Sequence, residues 1–223
     1  MEYSQMAQFE LTEKNRVQRV PKRGAYDSKT IYEIIGDALI GHVGFVIDDQ
    51  PFVIPTLIAR QGDQILLHGA TSSRLMRHIQ SGGDLSIAVT HIDGLVLARS
   101  VFHHSINYRS AVLFGRGEFI NERRAKLEAL RQFTERLVPG RWDDARQPNE
   151  VELKATAVAA VTIDLASAKV RTGPPGDEED DYSLPVWAGV LPMRQVYEDA
   201  IPDDRLDPDL EIPGYLQKLI EAG

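Results

Sequence analysis

Three hydroxyls and a guanidinium stand in a row at Thr71-Ser72-Ser73-Arg74, directly after the apolar run Leu67-His68-Gly69-Ala70. A second donor group, Tyr108-Arg109-Ser110, leads into the apolar stretch Ala111 to Phe119. Hydroxyls, a guanidinium fork and the N–H groups at a helix start are what hold a phosphate. The same residues also make an ordinary helix cap with a surface arginine, and their spacing leaves both readings open. The two clusters could close on one anion if the fold brought them together. His68 ends its strand either as a hydrogen-bonded rim residue or as a polar contact to a cofactor ring or substrate.

Other candidates are less specific. His103 and His104 are neighbours before a strand, so their side chains point to opposite faces and cannot chelate together. No metal site is expected, although one imidazole suffices as an axial ligand to haem. Lys169-Val170-Arg171-Thr172-Gly173-Pro174-Pro175 precedes the acidic run Asp177-Glu178-Glu179-Asp180-Asp181. It reads as a surface loop whose charges are neutralised locally, or as a loop whose Lys169 and Arg171 reach a bound anion. Trp187, in a proline-flanked stretch, is a core anchor or an aromatic lid. Gly115-Arg116-Gly117 is an incomplete dinucleotide fingerprint, with no β-α-β unit around it. Nothing resembles a Walker loop, a nucleophile elbow or a zinc-protease helix.

The elements that must position these groups are short. Ser28 reads as the cap of a helix to about Leu39, with Ile31, Ile34, Ile35 and Ala38 on its apolar face. Strands are expected at 43–47, 52–59, 64–68, 85–90, 94–97, 110–119 and 157–164, and an Asp48-Asp49-Gln50-Pro51 turn joins the first two. Thr71 or Ser72 would cap a helix ending near Gln80, before Gly82-Gly83. Residues 122–138 carry Leu127, Leu130, Phe133 and Leu137 on one helical face, and Pro139-Gly140 ends that helix. The pattern predicts a mainly β chain with helices: an arm over 1–25, a small β-barrel over 26–165 and a wrapping extension over 166–223. The chain of 223 residues has a net charge of −8 and no cysteine. This excludes disulfides and thiolate chemistry and disfavours a nucleic-acid partner. The polar start and the absence of a long apolar run suggest a cytoplasmic chain with no membrane partner.

The motifs, in this order, resemble the flavin-nucleotide-binding branch of the pyridoxamine 5′-phosphate oxidase-like superfamily, which includes the nitroimidazole-resistance proteins. The matching pieces are Leu67-His68-Gly69-Ala70, Ser73-Arg74, Asn107-Tyr108-Arg109-Ser110, Pro139-Gly140-Arg141, Lys169 to Pro175 and Trp187-Ala188-Gly189-Val190-Leu191-Pro192. The resemblance implies a split β-barrel that binds FMN at a homodimer interface. It implies that Ser73 and Arg74 hold the phosphate, with Thr71 or Ser72 nearby. Pro55-Thr56-Leu57 would lie along the flavin ring, Tyr108, Arg109 and Ser110 near ring or phosphate, and Trp187 in the site from the tail. His68 would stand beside the ligand pocket, as the catalytic candidate. Leu75 replaces the lysine of the oxidases' Ser-Arg-Lys motif, and Val190 stands in place of their substrate-phosphate arginine. Vitamin B6 oxidation is therefore disfavoured, while flavin binding is not. The implied activity is an FMN-dependent oxidoreduction of a small planar acceptor, such as a nitroaromatic or quinone. The alternatives are a non-catalytic flavin carrier, a haem-binding relative, or deazaflavin in place of FMN.

Overall fold

The computed structural model describes residues 8–222; residues 1–7, at the start of the expected arm, lie outside the described residues. In chain order the elements are β1 (Gly24–Ala25), α1 (Ser28–Asp37), β2 (Ile40–Ile47), β3 (Gln50–Leu57), β4 (Ala59–Gln61), β5 (Gln64–Ala70), α2 (Arg74–Gln80), β6 (Asp84–Leu97) and β7 (Ser105–Phe119). There follow α3 (Arg123–Leu137), α4 (Arg141–Asp144), α5 (Glu150–Ala155), β8 (Thr156–Thr162), β9 (Leu165–Arg171), β10 (Gly189–Pro192) and α6 (Gly214–Glu221).

The strands pair antiparallel in the order β3-β2-β6-β7-β8-β5-β4. β9 lies between β7 and β1, and β10 adds to β6. The path does not close, leaving β3 with β2 as its one strand partner among the described residues. This is the expected mainly β architecture with an open, split barrel.

Two long strands make the split. β6 pairs with β2 through Ser86–Ala88 and with β10 through Gly94–Leu97. β7 pairs with β9 over Tyr108–Phe114, then turns to β8 over Gly117–Phe119. The corner of β7 falls at Gly115-Arg116-Gly117. A Cβ on Gly115 would lie 1.9 Å from the Thr162 carbonyl oxygen, so only glycine lets the two backbones approach there. The glycines that resemble a dinucleotide fingerprint are a barrel corner.

Side chains inside the barrel form the main core, with Ile31, Ile35, Ile65, Leu67, Met76, Ile87 and Leu113 among its buried members. A second cluster lies outside the sheet, where Ala129 and Phe133 of α3 cover Ala59, Leu66, Val158 and Ala160. β5 and β8 are thus buried on both faces.

Several expected boundaries move. Asp27, not Ser28, caps α1 by accepting from the Thr30 N–H at 2.8 Å. That bond holds the Asp27 carboxyl below its ordinary pKa. Gln50 and Pro51 belong to β3, because Asp48 and Asp49 (φ 49° and 62°) complete a two-residue hairpin turn by themselves. The segments expected at 85–90 and 94–97 are one strand, β6, with an irregularity between Ile92 and Gly94. Residues 166–171, which open the expected extension, form with Leu165 the strand β9, paired to β1 and β7. Its Ala166, Ser167 and Ala168 have weak strand propensity, and their place between β1 and β7 overrides it.

Gly115→Ala should destabilise the chain by about 3 kcal/mol, the upper range for forced overpacking. Urea denaturation checks this, and an unchanged midpoint would show that the corner can open without cost.

Candidate functional site

The double burial of β5 decides where His68 points. Ile65 and Leu67 enter the barrel core, so Leu66 and His68 face α3 on the other side. The His68 ring lies 4.5 Å from that of Phe133, centroid to centroid. It lines a cavity of about 400 Å³ with Leu57, Leu130, Phe133, Leu137, Trp142 and Arg146 among its walls. His68 Nδ1 is buried with no hydrogen-bond partner among the described residues. Burial lowers the His68 pKa below its ordinary value, so the ring is neutral at neutral pH. A neutral imidazole with an unpartnered nitrogen in an apolar cavity can accept a hydrogen bond or coordinate a metal.

The hydroxyl cluster behaves differently. Ser73, not Thr71 or Ser72, caps α2, its hydroxyl accepting from the Met76 N–H at 3.3 Å. Thr71 and Ser72 are exposed just before it. Arg74 lies over the Phe52 ring at 4.2 Å. With Arg77, His78, Ser81 and Asp48 it lines an open cavity of about 540 Å³. Arg74, Arg77, His78 and Ser81 suit a phosphate, while the Asp48 carboxylate at the same cavity opposes one. β3 runs nearby: Phe52 is on it, and Pro55, Thr56 and Leu57 follow on the same edge strand, with one side unpaired by other strands.

The second donor cluster does not join the first within one chain. Tyr108 and Ser110 lie on one face of β7 and Arg109 on the other. The Ser110 hydroxyl donates to the Lys169 carbonyl at 3.2 Å. Arg109 forms ion pairs with Asp93 at 3.1 Å and with Asp37. Its hydrogen bonds to Asp93, then Asp37, raise its pKa. Arg109 lines another cavity, of about 610 Å³, with His91, Arg136 and Arg194. Two carboxylates already offset its charge, so it is a poor free phosphate grip.

Arg171 is committed too. It is buried and donates to Asn107 Oδ1 and to the carbonyls of Gly173 (3.3 Å) and Pro174 (3.2 Å). It shapes the loop that was expected to carry it to an anion. Lys169 sits in mid-sheet, opposite Gly24 and Ser110. Trp187 is 66% exposed and folds over Gly189, where a Cβ would lie 3.0 Å from its ring. It is no core anchor in this chain. The His103 Nε2 is 3.4 Å from Glu178, and His104 Nδ1 is 3.0 Å from the Ser100 carbonyl. Both occupy a surface turn. Among the described residues no cluster of metal-ligating side chains occurs, and no helix is long and apolar enough to cross a membrane.

The profile of the family described as pyridoxamine 5′-phosphate oxidase matches residues 27–170. The chain belongs to this family. Within its range of solved folds, the flavocytochrome Anf3 from Azotobacter vinelandii superposes with a TM-score of 0.87 at 39% identity, over 93% of this chain and 97% of that one. The FAD and haem binding protein from Mycobacterium smegmatis does so at 0.84 and 31%, over 89% and 97%. A 5-nitroimidazole antibiotic resistance protein homologue from Bacteroides thetaiotaomicron shares the fold, with a TM-score of 0.56 at 22% identity over 66% and 86%. No curated protein sequence matches.

Sequence reasoning missed Phe52, Trp142 and Arg146. Phe52 was placed on a strand, but its stacking under Arg74 is a contact between distant segments. Trp142 and Arg146 come from the irregular wall after α3, whose course no periodicity specifies.

Because folding holds His68 neutral, the unfolded chain binds the extra proton between the ordinary histidine pKa, ~6.5, and the lowered folded one. The His68 contribution therefore falls as pH drops below about 6.5. His68→Leu should gain melting temperature relative to wild type between pH 7 and pH 5. A difference that stays constant with pH would mean that His68 titrates as if in water.

Proposed function

We propose that this chain is a flavin- and haem-binding redox protein. The observation that carries the reading is His68: a neutral, half-buried imidazole whose buried Nδ1 has no partner among the described residues, in a cavity walled by Phe133, Trp142 and aliphatic side chains together with Arg146 and Glu152. Its support is the near full-length similarity to a flavocytochrome and to an FAD and haem binding protein.

The residues fit both groups. Ser73 at the start of α2, Arg74, and the neighbouring Arg77 would hold the flavin phosphate, and the free edge of β3 would offer backbone groups to the ring. His68 would hold the haem, in place of His103 and His104 on their surface turn. Arg146, already paired with Glu152 at 2.7 Å, stands at the same cavity for a propionate. A flavin supplies two-electron chemistry and a haem one-electron chemistry when each is bound. The chain's part is to orient the two, keep His68 unprotonated and exclude water with the apolar cavity wall.

The flavin is FMN or FAD; the dinucleotide agrees with the Mycobacterium smegmatis relative. Trp187, Val101 and Phe102, exposed by 66%, 87% and 88%, support a homodimer with the flavin at the subunit interface. A second reading is favoured by the aromatic walls of the His68 cavity. There the same cavity takes a small planar acceptor, a nitroaromatic or quinone, directly beside the flavin, and His68 orients it.

The purified protein should show flavin bands and a Soret band, with the released flavin identifying FMN or FAD. His68→Ala should lose the Soret band and keep the flavin. Flavin bands without a Soret band, even after haemin is added, would replace the haem reading with the planar-acceptor one. A colourless protein that takes up neither flavin nor haemin would overturn both. Arg74→Ala should weaken flavin binding about tenfold to a hundredfold, the range for a charge-assisted phosphate contact of ~1.5–3 kcal/mol. Equal affinity in titrations of the apoprotein would remove Arg74 from the phosphate site.

A further inference from the structure

We infer that Tyr215, near the C-terminus, is a positioning residue for the His68 cavity: its hydroxyl, between Arg141 and Asp144, ties the cavity's irregular wall to the last helix. The role rests on the reading of that cavity as a cofactor pocket.

Residues 138–149 supply Trp142, Ala145, Arg146, Gln147 and Pro148 to the cavity, and no strand holds them. Side-chain bonds do so instead. The Glu135 carboxylate accepts from the N–H groups of Gly140 at 2.8 Å and Trp142 at 3.0 Å. Gln147 Nε2 donates to the Trp142 carbonyl at 2.8 Å. Asn149 and Glu152 close a reciprocal cap on α5.

The bonds to Tyr215 come from beyond this segment. Arg141 Nη1 donates to the Tyr215 hydroxyl at 2.9 Å, and that hydroxyl donates to Asp144 Oδ2 at 2.5 Å. The ring packs on Gly140, which has a φ of +90° and presents bare backbone to it. Between β10 and α6 the chain runs as a strap whose Val196, Ile201, Leu206 and Leu210 are exposed. The Tyr215 contact therefore anchors the far end of a long tail, and it does so on the cavity wall. All three polar partners are partly exposed, so the tether is reversible, and its strength sets how readily the wall opens.

The test uses the full chain. Tyr215→Phe keeps the ring and removes the hydroxyl; Tyr215→Ala removes both. Hydrogen exchange of the ligand-free protein should show faster exchange confined to residues 138–149 in Tyr215→Phe. Haemin transfer from the loaded protein to excess apomyoglobin should be about threefold to tenfold faster than in wild type, for the loss of exposed bonds to charged partners, while flavin affinity is unchanged. Tyr215→Ala should exceed Tyr215→Phe in both. Unchanged exchange overturns the tether. Faster exchange with unchanged haemin loss overturns its positioning role. A wild-type chain that takes up no haemin overturns the haem reading instead, and the exchange data still decide the tether.

Discussion

The structure depends on a sheet segment that is buried on both sides. β5 and β8 pair from Gln64↔Thr162 to Ala70↔Thr156. One face closes the barrel, and the other lies under α3. A strand in that position has no solvent face, so its sequence reads as an unbroken apolar run, Ile65-Leu66-Leu67. A histidine that continues such a run faces a core instead of open solvent, and His68 is half-buried there. It must enter one core or the other, and register places it with Leu66 against Phe133. The outward core is thin, and its wall beyond α3 is irregular chain, so the space beside His68 is not filled. The cavity follows from covering a sheet with one helix and a loop instead of two helices.

Charge is distributed to match. Among the described residues Arg74 and Arg77 on α2 form no ion pair with a carboxylate, and Arg74 instead rests on the Phe52 ring. An aromatic face holds a guanidinium without neutralising it, so it stays available to an anion. Arg109 is the opposite case. Two carboxylates fix it, and its raised pKa reflects that pairing. Arg171 is desolvated with neutral acceptors, which lowers its pKa and makes it a structural strut. Four arginines of one chemical type thus divide by their partners into anion grips and braces.

This division explains what could be read in the residues beforehand. The barrel was legible, because turns and β-branched segments punctuate it at regular spacing. So was the amphipathic face of α3. The merging of two expected strands into β6 was not, since Asp93-Gly94 looks like a turn, while the irregularity there merely bends a continuous ladder. β9 was hidden by Ala166-Ser167-Ala168, residues chosen for close packing and not for strand propensity. At the site, the Ser73-Arg74 motif was visible as a local pattern. What the arginines at 109 and 171 touch was not visible, because Asp37, Asp93 and Asn107 are far away in sequence from at least one of their partners.

His68 and His103-His104 pose the same question with opposite answers. In sequence, the pair looks more like a ligand set than the single residue does. Coordination needs an unprotonated nitrogen, exclusion of water and a walled space. The adjacent histidines lie on a surface turn instead: one faces Glu178, and the other is tied to a carbonyl. His68 has an unprotonated ring and a walled space from one cause, its position at the end of a strand covered on both faces. Burial deprives it of a partner, lowers its pKa and surrounds it with apolar atoms. The energetic cost of leaving Nδ1 unpaired, about 1–3 kcal/mol for a buried polar atom, is the kind that a bound group can offset and an empty core cannot. Two side-chain nitrogens are buried without a partner among the described residues, His68 Nδ1 and Arg99 Nε, and the first lies at the point where a cofactor would meet it.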